Sequence, residues 1–337
     1  MLIATSRRIA IMNDRTYTYS QLSSQSACQI VAAHYNLDAP LSCKFYVLGL
    51  HDNYLIQSGN QKYILRIYRN AWRSREEAGF ELELLAFLTH QTDLAAKLVP
   101  TKNDELAVYI DSPEGERTAA LFCYADGHAP GNNITTEEAE LLGVAVANLH
   151  NITNTFTTHR HRPRLELSYL LDESITSIKP FIDSKAHSDL KQLQAKLHDA
   201  LSGIEKEVDI YGICTGDVNS GNFHINQHKQ ITLFDFDQCG YGYRAFEIGK
   251  FFSSLHSHHD KPAICDAFLA GYTQIRQLSE IEIAAIPYFE IVSVIWVMAI
   301  HAVNVDRIGY KVLEKPFWDK RFSILQTLDS RLSDELS

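Results

Sequence analysis

The sequence predicts an α+β chain of two unequal lobes: a small β-rich N-terminal lobe over residues 1–125 and a mainly helical C-terminal lobe over residues 126–337. Three observations lead there. The 337 residues are too many for one simple core, and a hydrophobic content of 45% supports a sizeable interior. Short β-type runs crowd into residues 45–68, and helical periodicity dominates beyond residue 135.

In chain order, Ser20 to Tyr35 reads as a first helix with Leu22, Ile30, Val31 and Tyr35 on one face. The runs Phe45 to Leu50, Asn53 to Ser58 and Lys62 to Tyr68 read as strands, and Ser58-Gly59-Asn60-Gln61 joins the last two as a hairpin turn. Ser74 to Leu88 is a helix whose Leu84, Leu85 and Leu88 face the sheet, with Glu81 three and four positions back on the same inward side. A strand is expected around Leu106 to Ile110, and Arg117 to Gly127 reads as a buried strand closed by a glycine turn. Thr135 and Glu138 form a capping box opening a helix with Leu141, Leu142, Ala145, Val146 and Leu149 on its apolar face. His150 ends that helix, where the macrodipole favours a structural histidine. The stretch Ile291 to Val305 is uncharged but contains Ser293, His301 and Asn304; it falls short of the ~20 residues a membrane span needs and reads as a buried helix.

Composition narrows the partners. With 41 acidic against 31 basic residues the net charge is −10, which argues against a nucleic-acid or anionic-membrane partner and favours a cationic acceptor. Six cysteines without a Cys-x-x-Cys pair fit free thiols in a reducing cytosol, hence a cytoplasmic protein. Arg7 and Arg8 are followed by no apolar core, so no signal peptide is expected. The His-rich stretches 158–162 and 256–260 lack the Cys/His partners of a zinc site.

The most informative segment is Cys214-Thr-Gly-Asp-Val-Asn-Ser-Gly-Asn222, followed by Ile231-Thr-Leu-Phe-Asp-Phe-Asp237. Asp217 and Asn222 share a loop that Gly216 and Gly221 keep tight, and Asp235 emerges from a strand end 18 residues after Asp217. One catalytic carboxylate and two oxygen ligands for a hard cation can then converge. Phosphoryl transfer asks for little more: a group that orients and deprotonates the acceptor hydroxyl, and ligands for a magnesium ion on the phosphates.

This constellation resembles the aminoglycoside phosphotransferase and choline kinase-like small-molecule kinases, relatives of the protein kinases. Their His-Gly-Asp-x-x-x-x-Asn signature is matched from Gly216 to Asn222, their Asp-x-Asp by Asp235 and Asp237, and their downstream tail by Gly240 to Glu247; Thr215 replaces the opening His. The resemblance covers nearly the whole chain and implies a two-lobed protein kinase-like fold using ATP and Mg²⁺. It implies Asp217 as base, Asn222 and Asp235 on the metal, and Asp237 on a second metal or bracing the loop. Arg66 would hold the α- and β-phosphates with Glu81 as its partner, and the backbone of Cys123, Tyr124 and Ala125 would meet the adenine edge. Gly49 to Asn53, with a single glycine, would cover the phosphates, and Glu247 would brace the catalytic loop from behind. No activation loop of protein-kinase length separates Asp237 from Glu247. A small-molecule hydroxyl acceptor carrying an amine is therefore expected. A bacterial stress-response serine/threonine kinase, a homoserine kinase-type enzyme and a nucleotide-binding pseudokinase remain alternatives, and oligomeric state stays open.

Overall fold

The computed structural model describes residues 16–335; residues 1–15, including the Arg7 and Arg8 segment on which the signal-peptide expectation rests, and residues 336–337 lie outside them. Helix α1 (Ser24–His34) precedes strands β1 (Leu41–Leu48), β2 (Asp52–Ser58) and β3 (Gln61–Ile67), then helix α2 (Arg75–Gln91). Strands β4 (Leu98–Val99), β5 (Val108–Ser112) and β6 (Gly115–Cys123) complete a six-stranded antiparallel sheet of order β1-β2-β3-β6-β4, with β5 also paired to β6.

The local causes are visible. In β2 alternate residues are buried, and the hairpin to β3 closes at Gly59, whose φ of 55° lies in the left-handed region that favours glycine. The register sets Asn53 opposite Arg66. Helix α2 starts where Ser74 and Glu77 exchange side-chain-to-backbone hydrogen bonds. Helix α1 begins at Ser24 rather than Ser20 because Ser23 accepts the capping bond from Ser26 N. Strand β1 starts earlier than its apolar run, since Ser42 and Lys44 lie on its exposed face and carry no apolar signal. Strand β5 likewise runs Val108–Ser112, two residues later than expected.

Two apolar clusters flank the sheet. Ala27 and Val31 of α1, with Tyr35 just after it, cover Tyr54, Ile56, Leu65 and Leu121 on one side. Under the other side, Phe80, Leu84, Leu85 and Leu88 of α2 belong to a core that runs on into the rest of the chain. That remainder is built from α3 (Thr136–Ile152), α4 (Ser174–Ile178), α5 (Ser184–Leu201), α6 (Arg244–Ser254), α7 (Lys261–Ile275), α8 (Glu280–Val303), α9 (Val305–Ile308) and α10 (Lys315–Glu335). It also holds two short ribbons, β7 (Tyr211–Cys214) with β10 (Gly240–Tyr243) and β8 (Phe223–Ile225) with β9 (Ile231–Leu233). Helix α3 carries the Thr135 and Glu138 capping box and packs along α7, where Gly143 and Gly271 let the backbones touch. Helix α8 is long and apolar enough to cross a membrane, yet most of its apolar window is buried inside the protein against α6, α4 and α10.

Candidate active site

A cleft of about 680 Å³ lies between the sheet and the β8–β9 ribbon, a size suited to a small-molecule ligand. Its apolar walls include Val47, Ile64, Leu85, Phe122, Phe234 and Phe236, and its polar end carries Arg66, Glu81, Asn222 and Asp235. A smaller adjoining recess brings the Gly49 to Asn53 turn to Asp217 and Asp235.

The loop after β7 is shaped by two constraints. Gly216 has φ +79°, and a Cβ there would lie 2.1 Å from the Gln238 carbonyl oxygen, so glycine is required. Gly221 faces no comparable obstacle, so the turn rests on Gly216 and on Asn219 Oδ1 accepting from Gly221 N at 2.8 Å. Within this loop Asn222 Nδ2 donates to both the carbonyl and Oδ2 of Asp217, each at 2.9 Å, leaving Asn222 Oδ1 as its open oxygen. Asp235 sits at the start of the turn after β9 in the left-handed region (φ 63°, ψ 64°), a conformation Asp tolerates better than most residues. Its side chain is 42% exposed toward the cleft.

The two acidic residues of Asp-Phe-Asp therefore differ. Asp237, expected as a metal ligand or a brace, has a side chain only 5% exposed and enclosed by donors. His51 Nε2 (2.7 Å) and Arg73 Nε (3.0 Å) donate to its Oδ1, and Trp72 Nε1 (2.8 Å) to its Oδ2. Burial opposes its charge, but Arg73 and His51 hold its carboxyl well below the usual carboxylate range. Of the two roles expected for Asp237, second-metal ligand or brace, these contacts accord with the brace: both oxygens meet protein donors that tie the sheet-side residues to the turn.

Arg66 of β3 meets Glu81 of α2 (Nη1 to Oε1, 3.2 Å), Asp235 (Nη2 to Oδ1, 2.9 Å) and Asn53 Oδ1 (from Nε, 3.2 Å). Glu81 is wholly buried with Oε2 unbonded, and burial, against the pull of Arg66, pushes its carboxyl up to about 7. The Gly49 to Asn53 turn is fixed by side chains instead of glycines. His51 Nδ1 accepts from Arg69 N at 3.1 Å, so its proton sits on Nε2 facing Asp237; burial pushes this imidazole below its ordinary pKa, and it stays neutral. The neighbouring Asp52 is buried between Arg117 and Arg307, each at 2.8 Å. Neither anchor was apparent in the sequence, since both partners lie far away along the chain.

At the expected adenine edge, Cys123 N donates to Lys97 O (2.8 Å) and Tyr124 N to Lys62 O (3.1 Å), so of the three residues named there Ala125 is the one whose amide is not committed to those neighbours. His224 Nδ1 lies 2.6 Å from the Ala125 carbonyl, with its ring edge-on to Phe234, and was not singled out from sequence.

Behind the loop runs a buried chain of polar groups. Tyr272 OH lies 2.9 Å from His150 Nδ1, and His150 Nε2 is 2.7 Å from Glu247 Oε2. Glu247 Oε1 accepts from Gly216 N at 2.8 Å and from the Thr215 hydroxyl. Thr215, standing where the resembling kinases carry His, thus ties the loop to Glu247. Burial pushes His150 below its ordinary pKa, and its role here is a hydrogen-bonding one. The Asp217 carboxylate has a further partner, Lys250 of α6, with Nζ 2.5 Å from Oδ1. The signal for it was the spacing from Glu247: three positions on, the same helix face.

The fold and this cleft define a protein kinase-like phosphotransferase. The phosphotransferase enzyme family matches residues 45–281, and the chain belongs to that family; it is an enzyme with a hydroxyl group as acceptor. A protein of Synechocystis sp. (strain PCC 6803), sll1119, is 36% identical over 93% of this chain and 87% of its own length. The solved microcompartment-associated aminopropanol kinase superposes with TM-score 0.75 at 21% identity, covering 90% of this chain and 95% of that one. Amicoumacin kinase hAmiN, solved with AMP-PNP, Ca²⁺ and amicoumacin, gives TM-score 0.74 at 20% identity over 93% and 94% of the two chains. At these identities the two structures establish the two-lobed fold.

Proposed function

We propose that this chain is an ATP- and Mg²⁺-dependent kinase acting on a hydroxyl of a small, amine-bearing molecule. The observation that carries the reading is that Asp217, Asn222 and Asp235 gather with the Arg66–Glu81 pair at one end of a cleft whose other end is the Cys123 to Ala125 strand exit. The reading divides the chain near residue 125, with nucleotide contacts mainly before it and catalysis after it.

Two hard oxygen donors, the exposed Asp235 carboxylate and Asn222 Oδ1, suit a hard divalent cation, and these residues would hold it. Bound there, the ion would offset negative charge on the β- and γ-phosphates. Asp217 orients the acceptor hydroxyl and takes its proton as the acceptor oxygen bonds to phosphorus and the bond to the ADP oxygen breaks. Arg66, turned from Asp235, clamps the phosphates through its planar fork, and Glu81 holds it in place. Ala125 N–H addresses the base edge, and His224 fixes the Ala125 carbonyl beside it.

A small acceptor accords with the short run from Asp237 straight into β10 and α6, which leaves no long segment for docking a protein substrate. The amine accords with the acidic chain and with the aminopropanol and amicoumacin kinases among its structural neighbours. A cytoplasmic site of action accords with six free thiols. The test is ADP release from Mg·ATP across a panel of amino alcohols, aminoglycosides, homoserine and a generic protein substrate, with Mg·AMP-PNP binding measured in parallel. Saturable turnover on an amino-alcohol-bearing compound supports the reading. Binding without transfer to any acceptor identifies a regulatory module, and transfer to protein alone identifies a protein kinase.

A further inference from the structure

Helix α6 holds the catalytic loop twice. Glu247, in its first turn, takes the Gly216 amide and Thr215 hydroxyl behind the loop. Lys250, one turn on, pairs with Asp217 Oδ1 at 2.5 Å. The lysine side chain is 7% exposed and that of Asp217 30%, so the pair has its ammonium inside and its carboxylate at the cleft. The helix has little freedom to withdraw: a Cβ on Gly249 would lie 2.7 Å from Glu290 N, which shows how closely α6 is pressed on α8 at this point.

Between Lys250 on Oδ1 and Asn222 on Oδ2, the Asp217 carboxylate is gripped from both sides. The other two aspartates at this end also have their own cations, Arg66 for Asp235 and Arg73 for Asp237. The pairings differ in what a nucleotide would do to them. Arg66 lines the cleft and can transfer its bond, whereas Lys250 lines neither the cleft nor the adjoining recess and keeps its bond to Asp217. A carboxylate beside a polyanionic phosphate is repelled by it, and a fixed, poorly solvated cation on Oδ1 offsets that repulsion.

We propose that Lys250 is a positioning residue for phosphoryl transfer, which fixes the orientation of Asp217 and offsets its charge against the incoming γ-phosphate; this rests on the phosphotransfer reading above. Lys250 acts through Asp217, so its contribution belongs to turnover and not to nucleotide affinity.

The full chain is assayed as wild type, Lys250→Met, Lys250→Arg, Asp217→Asn and the Lys250→Met/Asp217→Asn double variant. ADP release from Mg·ATP is read with 1-amino-2-propanol and with water alone as acceptor, and Mg·AMP-PNP affinity by calorimetry. Lys250→Met should lower kcat about 10–100-fold with an affinity change under about twofold, and Lys250→Arg should recover part of the loss. In the Asp217→Asn background, Lys250→Met should cost under about twofold more. Should the methionine variant not fold, Lys250→Gln, which keeps a donor but no charge, is read against the same expectations. A kcat unchanged in the folded variant with only a lower melting temperature would make Lys250 structural and overturn the proposal. Undiminished loss in the Asp217→Asn background would show that Lys250 acts elsewhere. Wild-type protein that binds Mg·AMP-PNP and releases no ADP under any condition overturns the phosphotransfer reading itself, and the role of Lys250 with it.

Discussion

Arg66 satisfies three acceptors at once, Glu81, Asp235 and Asn53, of which Glu81 is 1% exposed and Asp235 42%. In the proposed mechanism Glu81 therefore holds Arg66, while Asp235 faces the ligand. Arg66→Met should raise KM for ATP and lower kcat, and Arg66→Lys should restore only part, because an ammonium supplies charge without the two-pronged geometry. In a double-mutant cycle with Glu81→Gln, steady-state kinetics should show a coupling of about 1 kcal/mol or more; simple additivity would dissolve the pair. Glu81 also carries a pH signature. Its carboxyl is pushed from 4.5 to about 7 by burial, so the folded protein holds a proton that the unfolded chain has released between those values. Stability is thus retained below about 4.5, declines as pH rises toward 7 and is flat above. The penalty is at most roughly 3 kcal/mol. Glu81→Gln removes that dependence, so its melting temperature should gain on wild type from pH 5 to pH 7.5. A constant difference across that range would mean Glu81 is ionised throughout.

Among the elements, the loop after β7 depends on one glycine, Gly216, and one buried carboxylate, Glu247. A Gly216→Ala side chain would meet the backbone carbonyl of Gln238, which cannot swing aside as a side chain would, and the positive φ adds strain. A stability loss of at least about 2 kcal/mol in urea unfolding is expected, together with loss of turnover; a stability within 0.5 kcal/mol of wild type (~0.5 marks an ordinary surface change) would show that the β10 turn yields. Thr215→Val should cost about 1–3 kcal/mol by leaving Glu247 short of a buried donor, and Thr215→Ser should cost much less. The Gly49 to Asn53 turn follows the same logic with different means: His51 and Asp52 point inward and are pinned, which is why a single glycine suffices there.

Across the whole molecule, Asp237 joins His51, Trp72 and Arg73 from the sheet side to the turn that carries Asp235. Asp237→Asn would leave Arg73 buried with a weaker partner, and a loss of about 3–5 kcal/mol is expected in thermal or urea unfolding. Stability equal to wild type would mean the hub is dispensable. What was legible in the sequence follows from range. Asp217, Asn222 and Asp235 are close along the chain, and periodicity alone turned Glu81 inward beside β3. Ligand and brace could not be told apart for Asp237 because its partner His51 is 186 residues away, and nothing marked His224 because the Ala125 carbonyl it meets is 99 residues away. Lys250 was within reach through its spacing from Glu247, yet a lysine in a helix reads as solvent-facing until the packing of α6 on α8 is known. In the proposed mechanism one cleft separates acceptor chemistry at Asp217 from metal and nucleotide binding at Asp235. The most direct test of that separation is to measure Mg·ATP affinity and single-turnover rate side by side in Asp217→Asn and Asp235→Ala. The account predicts that Asp217→Asn keeps near wild-type affinity while transfer falls about 10²–10⁴-fold, and that Asp235→Ala loses magnesium-dependent affinity itself; equal losses of both quantities in both variants would contradict it.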